Sequence, residues 1–483
     1  MYHILLDHLC EDPMYIQIYK YFVTEIHAGT ISVNEKLPSS RQLAVDLGIS
    51  RNTVNMAYEQ LELEGYIVSK PKQGYFVCDV EGNIRLANDN NVTQKELKQK
   101  KTEEKYKVDF SPFGIDIAHA PYDRWKKIMR ETMLDQDETL FQSGDSRGEK
   151  GLREAIRDYL HRSRGVKCDE NQIIIGAGTE YLLMLLTRLL PDYQSIAMEN
   201  PVYQQAYRVF HNFGYRIYPV SLDDNGLRVD ELEKTNSKLV FVTPSHQFPM
   251  GISMPIQRRM QLLNWADEAP DRYIIEDDYD SEFRYQGKTI PALQGIDNQG
   301  KVIYMGTFSK AVAPSIRVGY LVLPKILYQR YLEEISFYAT TVPRIDQEVI
   351  RRFITEGYFD RHLNRMRRIY REKCECLMNS LRKWEIPIEL KGDSSGLHVI
   401  VEFDVKDFDT MDRNPVKLER ELTGIAKEAG IKVYPLCDYY IHECDTHRKA
   451  IIMLGYANVS TDMIQYGISR LEEVWKPLMT LHS

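Results

Sequence analysis

The sequence predicts a two-domain α/β protein: a small helical head with a hairpin, then a large, mostly parallel sheet flanked by helices. Apolar residues recur at helical spacing through the first eighty positions, whereas short apolar runs alternate with helical stretches from residue 172 onward. Between them, residues 82–107 are polar and poor in large apolar side chains, with seven Lys/Arg against four acids. The expected division is a head over 1–79, a charged linker over 80–107 and a large domain over 108–483.

At 483 residues, 43% apolar and 27% charged, the chain has ample length for such a core. No apolar run approaches the ~18 residues of a membrane span, and the N-terminus lacks the basic and apolar regions of an export signal. Seven cysteines form no Cys-x-x-Cys pair, which fits a reducing compartment. These features predict a cytoplasmic chain with no membrane partner. The net charge of −8 argues against a surface that coats nucleic acid broadly. Residues 1–80 are themselves net −4, yet four of their six bases (Arg41, Arg51, Lys70 and Lys72) fall between positions 41 and 72.

In the head, Tyr15, Ile18, Tyr19, Phe22, Val23 and Ile26 make an amphipathic first helix. Ser39 or Ser40 offers an N-cap for a helix over 41–47, and Gly48-Ile49 makes a turn. Ser50 caps a third helix whose stripe Val54, Ala57, Tyr58 and Leu61 is the expected core face. Two strands, 66–69 and 75–77, flank the turn Lys70-Pro71-Lys72-Gln73-Gly74. This order describes a winged helix-turn-helix. Its third helix would present Arg51, Asn52, Asn55 and Met56 to a major groove, Arg and Asn being suited to guanine and adenine edges. The Ser50 and Thr53 hydroxyls suit phosphate, and Lys70 and Lys72 would sit at the wing tip. On periodicity alone, a small protein-interaction domain with solvated charges fits equally.

The large domain reads as strands over 172–175, 195–198, 238–242, 273–275, 302–305 and 320–323, with polar clusters at their carboxyl ends, where such sheets bind ligands. Gly176-Ala177-Gly178-Thr179-Glu180 precedes an apolar helix over 181–190 and offers N–H groups to a phosphate. Glu276-Asp277-Asp278-Tyr279 follows a strand; such carboxylates bind a metal, pair with a ring nitrogen, or are simply solvated. Gly306-Thr307-Phe308-Ser309-Lys310, with Arg317 seven residues on, suits a Schiff-base lysine beside a phosphate, although a lone Ser-Lys is usually a surface accident. Together these parts fit pyridoxal phosphate (PLP), which needs a lysine, a carboxylate for its ring nitrogen, and cations with N–H groups for its phosphate. Tyr203 is placed to stack on the ring, and no metal is required.

Two resemblances sharpen this reading. The run LPSSRQLAVDLGISRNTVNMAYEQLELEGYIVSKPKQGYFV resembles the N-terminal domain of GntR-superfamily transcription regulators over residues 13–79. The runs TPSHQFPMG, YIIEDDYDSEF and YMGTFSKAVAPSIRVGYLVLP resemble fold-type I aminotransferases, and the joint arrangement is similar to MocR-type regulators. The resemblance implies a Schiff base between Lys310 and PLP, with Asp277 on the pyridine nitrogen. It puts Tyr279 on the phenolic oxygen with His246 or Gln247 close by, and Gly178, Thr179, Thr307, Ser309 and Arg317 on the phosphate. It also implies DNA contact by the head residues, including Arg41, and a homodimer.

Two departures limit the carry-over. The late stretch Ile451-Ile452-Met453-Leu454-Gly455 has no arginine for a ligand carboxylate, and Arg448 lies before it. Gln204-Gln205 follows Tyr203 where some amino-acid-sensing members are basic, with Arg208 the nearest alternative. The expected function is a PLP-dependent regulator that senses an amine, an amino acid or PLP itself and alters operator binding. The competing expectation is an aminotransferase carrying a DNA-binding head.

Overall fold

The computed structural model describes residues 4, 6–7, 12–79, 106–135, 138–190, 192–285, 287, 290–392, 394–408, 414–441 and 449–479. Most of the expected linker, and Arg448, lie outside these. The chain divides into two compact units, Met1–Glu104 and Lys105–Ser483. The Lys107 N–H donates to the Gly430 carbonyl at 2.8 Å, so contact with the large unit begins within the last residues of the expected linker.

The head comprises helices Met14–His27, Ser40–Leu47 and Arg51–Leu63, then an antiparallel hairpin of Ile67–Lys70 with Gly74–Val77. Ser39 caps the second helix, accepting from the Gln42 N–H at 3.1 Å; Ser50 caps the third, accepting from the Thr53 N–H at 3.2 Å. Gly48 ends the second helix at φ 66°, a left-handed conformation that glycine adopts without a Cβ clash. Val54, Ala57, Tyr58 and Leu61 are fully buried against Ile18 and Phe22, and the Tyr58 hydroxyl donates to the Pro38 carbonyl at 3.0 Å. The stripe expected on the third helix is therefore its core face, which leaves the opposite face to solvent.

The large unit is built on an eight-stranded sheet. In spatial order its strands are Ile173–Gly176, Gly319–Val322, Val302–Thr307, Tyr273–Asp278, Leu239–Val242, Ser195–Asn200, Arg216–Asp223 and Gly226–Leu227. The five strands from Val302–Thr307 to Arg216–Asp223 are mutually parallel. Gly319–Val322 runs antiparallel to both its neighbours, and the sheet is mostly parallel, as expected. Runs such as Ile173-Ile174-Ile175 and Leu239-Val240-Phe241-Val242 are buried throughout, because helices cover both faces. Arg216–Asp223 is a strand that the sequence pattern did not disclose. It reads Arg-Ile-Tyr-Pro-Val-Ser-Leu-Asp, without an apolar run, and lies near the sheet edge where Pro219 is tolerated.

A second sheet, Glu389–Lys391, His398–Asp404, Lys449–Gly455 and Tyr434–Pro435 in spatial order, forms the smaller C-terminal part. Phe248, Ile400, Leu436, Tyr439, Ile451 and Met453 pack together between it and the loop after Leu239–Val242. Among the described residues no helix is long and apolar enough to cross a membrane.

Candidate functional site

Four parallel strands, Ser195–Asn200, Leu239–Val242, Tyr273–Asp278 and Val302–Thr307, end at one cavity. Into it they deliver Tyr203, Thr243, Asp277 with Tyr279, and Thr307 with Ser309 and Lys310. The N-terminus of the helix Thr179–Leu189 adds Thr179 and Glu180, and Arg317 closes that side.

The acidic run at the end of Tyr273–Asp278 sorts itself by partner. Glu276 accepts from the Leu293 and Gln294 N–H groups at 2.7 and 2.8 Å. Asp278 takes the Arg164 guanidinium at 2.7 Å and the Tyr304 hydroxyl at 2.6 Å. Asp280 lies 2.9 Å from His246 Nδ1, and Glu282 accepts from the Tyr159 hydroxyl at 3.0 Å. Asp277 differs: it is buried and lines the cavity, with no hydrogen-bond or ion-pair partner among the described residues. Successive strand residues face opposite sides, so anchoring Asp278 behind the sheet turns Asp277 into the cavity. Burial, then the charges of Asp278, Asp280, Glu199 and Glu276, push the Asp277 carboxyl well above the usual carboxylate range. A cationic partner in the cavity would relieve that cost.

Lys310 sits in the turn after Val302–Thr307, and its Nζ donates to the Pro112 carbonyl at 3.3 Å, 5.4 Å from the centre of the Phe113 ring. Enclosure pulls its amine down to about 8, with the Asp280 charge opposing. Its neighbours are tied down: Ser309 Oγ donates to the Ile316 carbonyl at 2.9 Å, and the Ser309 N–H to Thr307 Oγ1 at 3.1 Å. Gly178 adopts φ 89° at the N-terminus of Thr179–Leu189, and a Cβ there would meet the Arg317 guanidinium at 3.0 Å. Arg317 pairs with Glu180 at 2.5 Å. A helix N-terminus and a cation thus meet at this end of the cavity, groups that could hold an anion, with the Glu180 carboxylate between them.

On the head, Arg41, Ser50, Arg51, Asn52, Lys70 and Lys72 are exposed and Thr53 and Asn55 half-buried. Arg51 Nε donates to Ser40 Oγ at 3.4 Å, and the Ser50 and Thr53 hydroxyls lie 2.8 Å apart. Lys72 takes φ 62° at the hairpin tip, and Lys70 Nζ sits 4.5 Å above the Phe76 ring.

Residues 14–77 match the gntR family of bacterial regulatory proteins, and residues 115–471 match aminotransferase class I and II. The chain is 39% identical, over 98% of both proteins, to the uncharacterized HTH-type transcriptional regulator YdeL of Bacillus subtilis (strain 168). It is 31% identical to the probable rhizopine catabolism regulatory protein MocR of Rhizobium meliloti, over 98% of this chain and 96% of that one. The chain is a GntR-family transcriptional regulator of the MocR type. Among solved structures, the large unit of this regulator resembles an archaeal alanine:glyoxylate aminotransferase, with a TM-score of 0.66 and 26% identity over 77% of this chain and 91% of that one.

In this MocR-type regulator the cavity gathers Thr179, Tyr203, Asp277, Tyr279, Thr307, Ser309, Lys310 and Arg317, with Gly178 at the helix N-terminus beside Arg317. His246 is not on the cavity wall. It lies behind Tyr279, whose hydroxyl is 3.0 Å from His246 Nδ1. Gln247 is a packing residue: its Nε2 donates to the Pro201 and Phe248 carbonyls at 3.1 and 2.7 Å. Arg208 is exposed and lines no part of the cavity, whereas Gln205 does, and its Oε1 is buried without a partner among the described residues. Phe113, Thr243, Phe248 and Pro314 also line it. Phe113 carried no sequence signal, because it arrives from a segment 197 positions before Lys310. Thr243 and Phe248 lie within the TPSHQFPMG run, the one hint available.

Proposed function

We propose that this MocR-type regulator binds PLP in the cavity and uses it to sense an amine or an amino acid, or PLP itself, so altering how its head binds operator DNA. The observation that carries the reading is Asp277. It is the one carboxylate of its run without a partner among the described residues, and it faces a cavity that also holds an enclosed amine of lowered pKa. An unpaired buried carboxylate is costly, and a cationic ring nitrogen offsets that cost. Lys310, Asp277, Tyr279 and Tyr203 would hold the ring, and Gly178, Thr179, Thr307, Ser309 and Arg317 the phosphate. When bound, PLP supplies an aldehyde open to a primary amine and a ring that withdraws electrons. The chain's part is to present the Lys310 amine largely stripped of water, to keep the Asp277 charge on the ring side, and to shield the cavity with Phe113, Phe248 and Pro314.

An aminotransferase with a DNA-binding head is the second reading, favoured by the completeness of the cavity and by the aminotransferase likeness. One experiment separates the two: visible spectra of the purified protein with PLP, titrated with amines and amino acids, beside operator gel shifts. A band that shifts with one ligand and holds, together with changed DNA binding, supports the regulator. A band that decays and recovers with a keto acid, at ordinary enzyme rates and without a DNA response, supports the enzyme.

The head reads DNA through the exposed face of Arg51–Leu63. Arg51→Ala is expected to weaken operator binding by about 1–3 kcal/mol, the worth of one bidentate base contact, with PLP spectra unchanged. Full retention of specific binding would place the reading surface elsewhere. Ile117, Tyr122, Leu134, Phe141 and Phe337 are exposed apolar side chains on the large unit, which suits a homodimer. Sedimentation equilibrium is expected to give twice the 56.5 kDa chain mass; a monomer mass at micromolar concentration would refute this.

A further inference from the structure

Tyr279, His246 and Asp280 form a chain of contacts in which two oxygens compete for one nitrogen. His246 Nδ1 lies 2.9 Å from Asp280 Oδ2 and 3.0 Å from the Tyr279 hydroxyl. The other ring nitrogen, Nε2, is buried and has no hydrogen-bond partner among the described residues. The ring is closely packed on two sides. A Cβ on Gly396, at φ 81°, would lie 2.0 Å from His246 Cε1, so backbone presses on that edge, while His398 packs beside it at 5.6 Å between centroids.

A proton on Nε2 would be a buried donor with no acceptor, while Asp280 would face a lone pair on Nδ1. Both faults vanish if the proton is on Nδ1, donated to Asp280. In that form Nδ1 cannot accept from Tyr279, whose hydroxyl hydrogen is left with two acceptors: Asp280, already engaged by His246 Nδ1–H, and an oxygen in the cavity that Tyr279 lines.

We propose that Asp280 is a positioning residue: it holds His246 in the Nδ1–H form and thereby aims the Tyr279 hydroxyl hydrogen at an oxygen of the bound ligand. This rests on reading the cavity as a PLP site. Burial, the charges of Asp280, Asp277 and Glu199, and a hydrogen bond to Asp280 push the Tyr279 phenol well above its usual range, so it stays a donor at neutral pH. The other titratable neighbours are Lys310, which feels the Asp280 charge, and His398, held low, at about 4, by burial and by His246.

The test uses the full chain and five forms: wild type, Asp280→Asn, Tyr279→Phe, the double variant, and His246→Gln for assignment. First, nitrogen-15 NMR of the protein without added PLP should show a hydrogen-bonded His246 Nδ1–H proton, identified by its loss in His246→Gln. That resonance should be absent or moved upfield in Asp280→Asn. Second, Asp280→Asn should bind PLP roughly ten-fold more weakly, about the worth of one hydrogen bond to a charged oxygen. The midpoint of its spectral pH titration should rise, because a ligand oxygen deprived of its donor is more basic. Third, Asp280→Asn should add nothing in the Tyr279→Phe background. An unchanged Nδ1–H resonance, an unchanged midpoint, or an equal effect with Tyr279 removed would each overturn the proposal. A wild-type chain that gains no visible band with PLP overturns the cofactor reading instead, and the NMR arm then still decides the tautomer.

Discussion

Lys310→Ala is expected to abolish the visible band that the wild-type protein gains with PLP, and with it any response to an amine or amino acid. Lys310 is the only lysine lining the described cavity, so no second amine stands ready to replace it. Operator binding by the head should persist, since the Arg51–Leu63 surface folds on its own core of Ile18, Phe22, Val54 and Tyr58. The pH dependence follows from the enclosed amine. It loses its proton near 8 in the folded chain but near its ordinary 10.5 when unfolded. Below 8 both states hold the proton, and the burial cost is fully present. Between 8 and 10.5 the unfolded state holds more protons, so stability should rise with pH across that window. The rate at which the band forms should likewise climb as pH approaches 8 from below and then level off, because the neutral amine is the nucleophile. Absorbance spectra of the variant and urea titrations at several pH values check both statements. A wild-type band retained by Lys310→Ala would assign the link to another residue.

Arg164→Ala should cause the largest loss of stability. Its guanidinium, with a side chain 4% exposed, meets the Asp278 carboxylate, 1% exposed, at 2.7 Å. It also donates to Ser245 Oγ at 2.5 Å and to the Ile290 carbonyl. Removing one partner of a buried pair leaves the other charge without compensation, at a cost of about 3–5 kcal/mol. Arg164→Met combined with Asp278→Asn should recover part of that loss, since no uncompensated charge remains. Urea denaturation of the large unit measures both. The same change should weaken PLP binding at a distance, because Asp278 anchors the strand position next to Asp277. An unfolding free energy within about 1 kcal/mol of wild type would mean that the pair contributes little.

These two residues also show what a sequence can and cannot disclose. The place of Lys310 on the cavity wall had a local signal: a lysine after a strand, with Thr307, Ser309 and Arg317 close by in the chain. Arg164 had none, since it closes a helix more than a hundred positions before Asp278. Its partner is set only when helix and sheet pack. The same limit applies to the acidic run. Five carboxylates from Glu276 to Glu282 look alike in sequence, and strand alternation divides only the three within the strand into two faces, without saying which face meets a cavity. His246 stands in a motif beside the candidate site, yet Tyr279 comes between it and the cavity. The strand Arg216–Asp223 lacks an apolar run because its place next to the short edge strand relaxes the demand for apolar residues.

By itself, then, the sequence determined the two-unit order, the capped helices and core stripe of the head, and the types of side chain gathered at the strand ends. Those features depend on periodicity, caps and turns, which act over a few residues. Only the tertiary structure decided that Asp277 and not Asp278 enters the cavity, that Phe113 and Gln205 line it, and that His246 stands behind Tyr279. Each of those depends on which buried polar group finds a partner across the fold. The cost of leaving one unpaired is settled by packing between segments far apart in the chain.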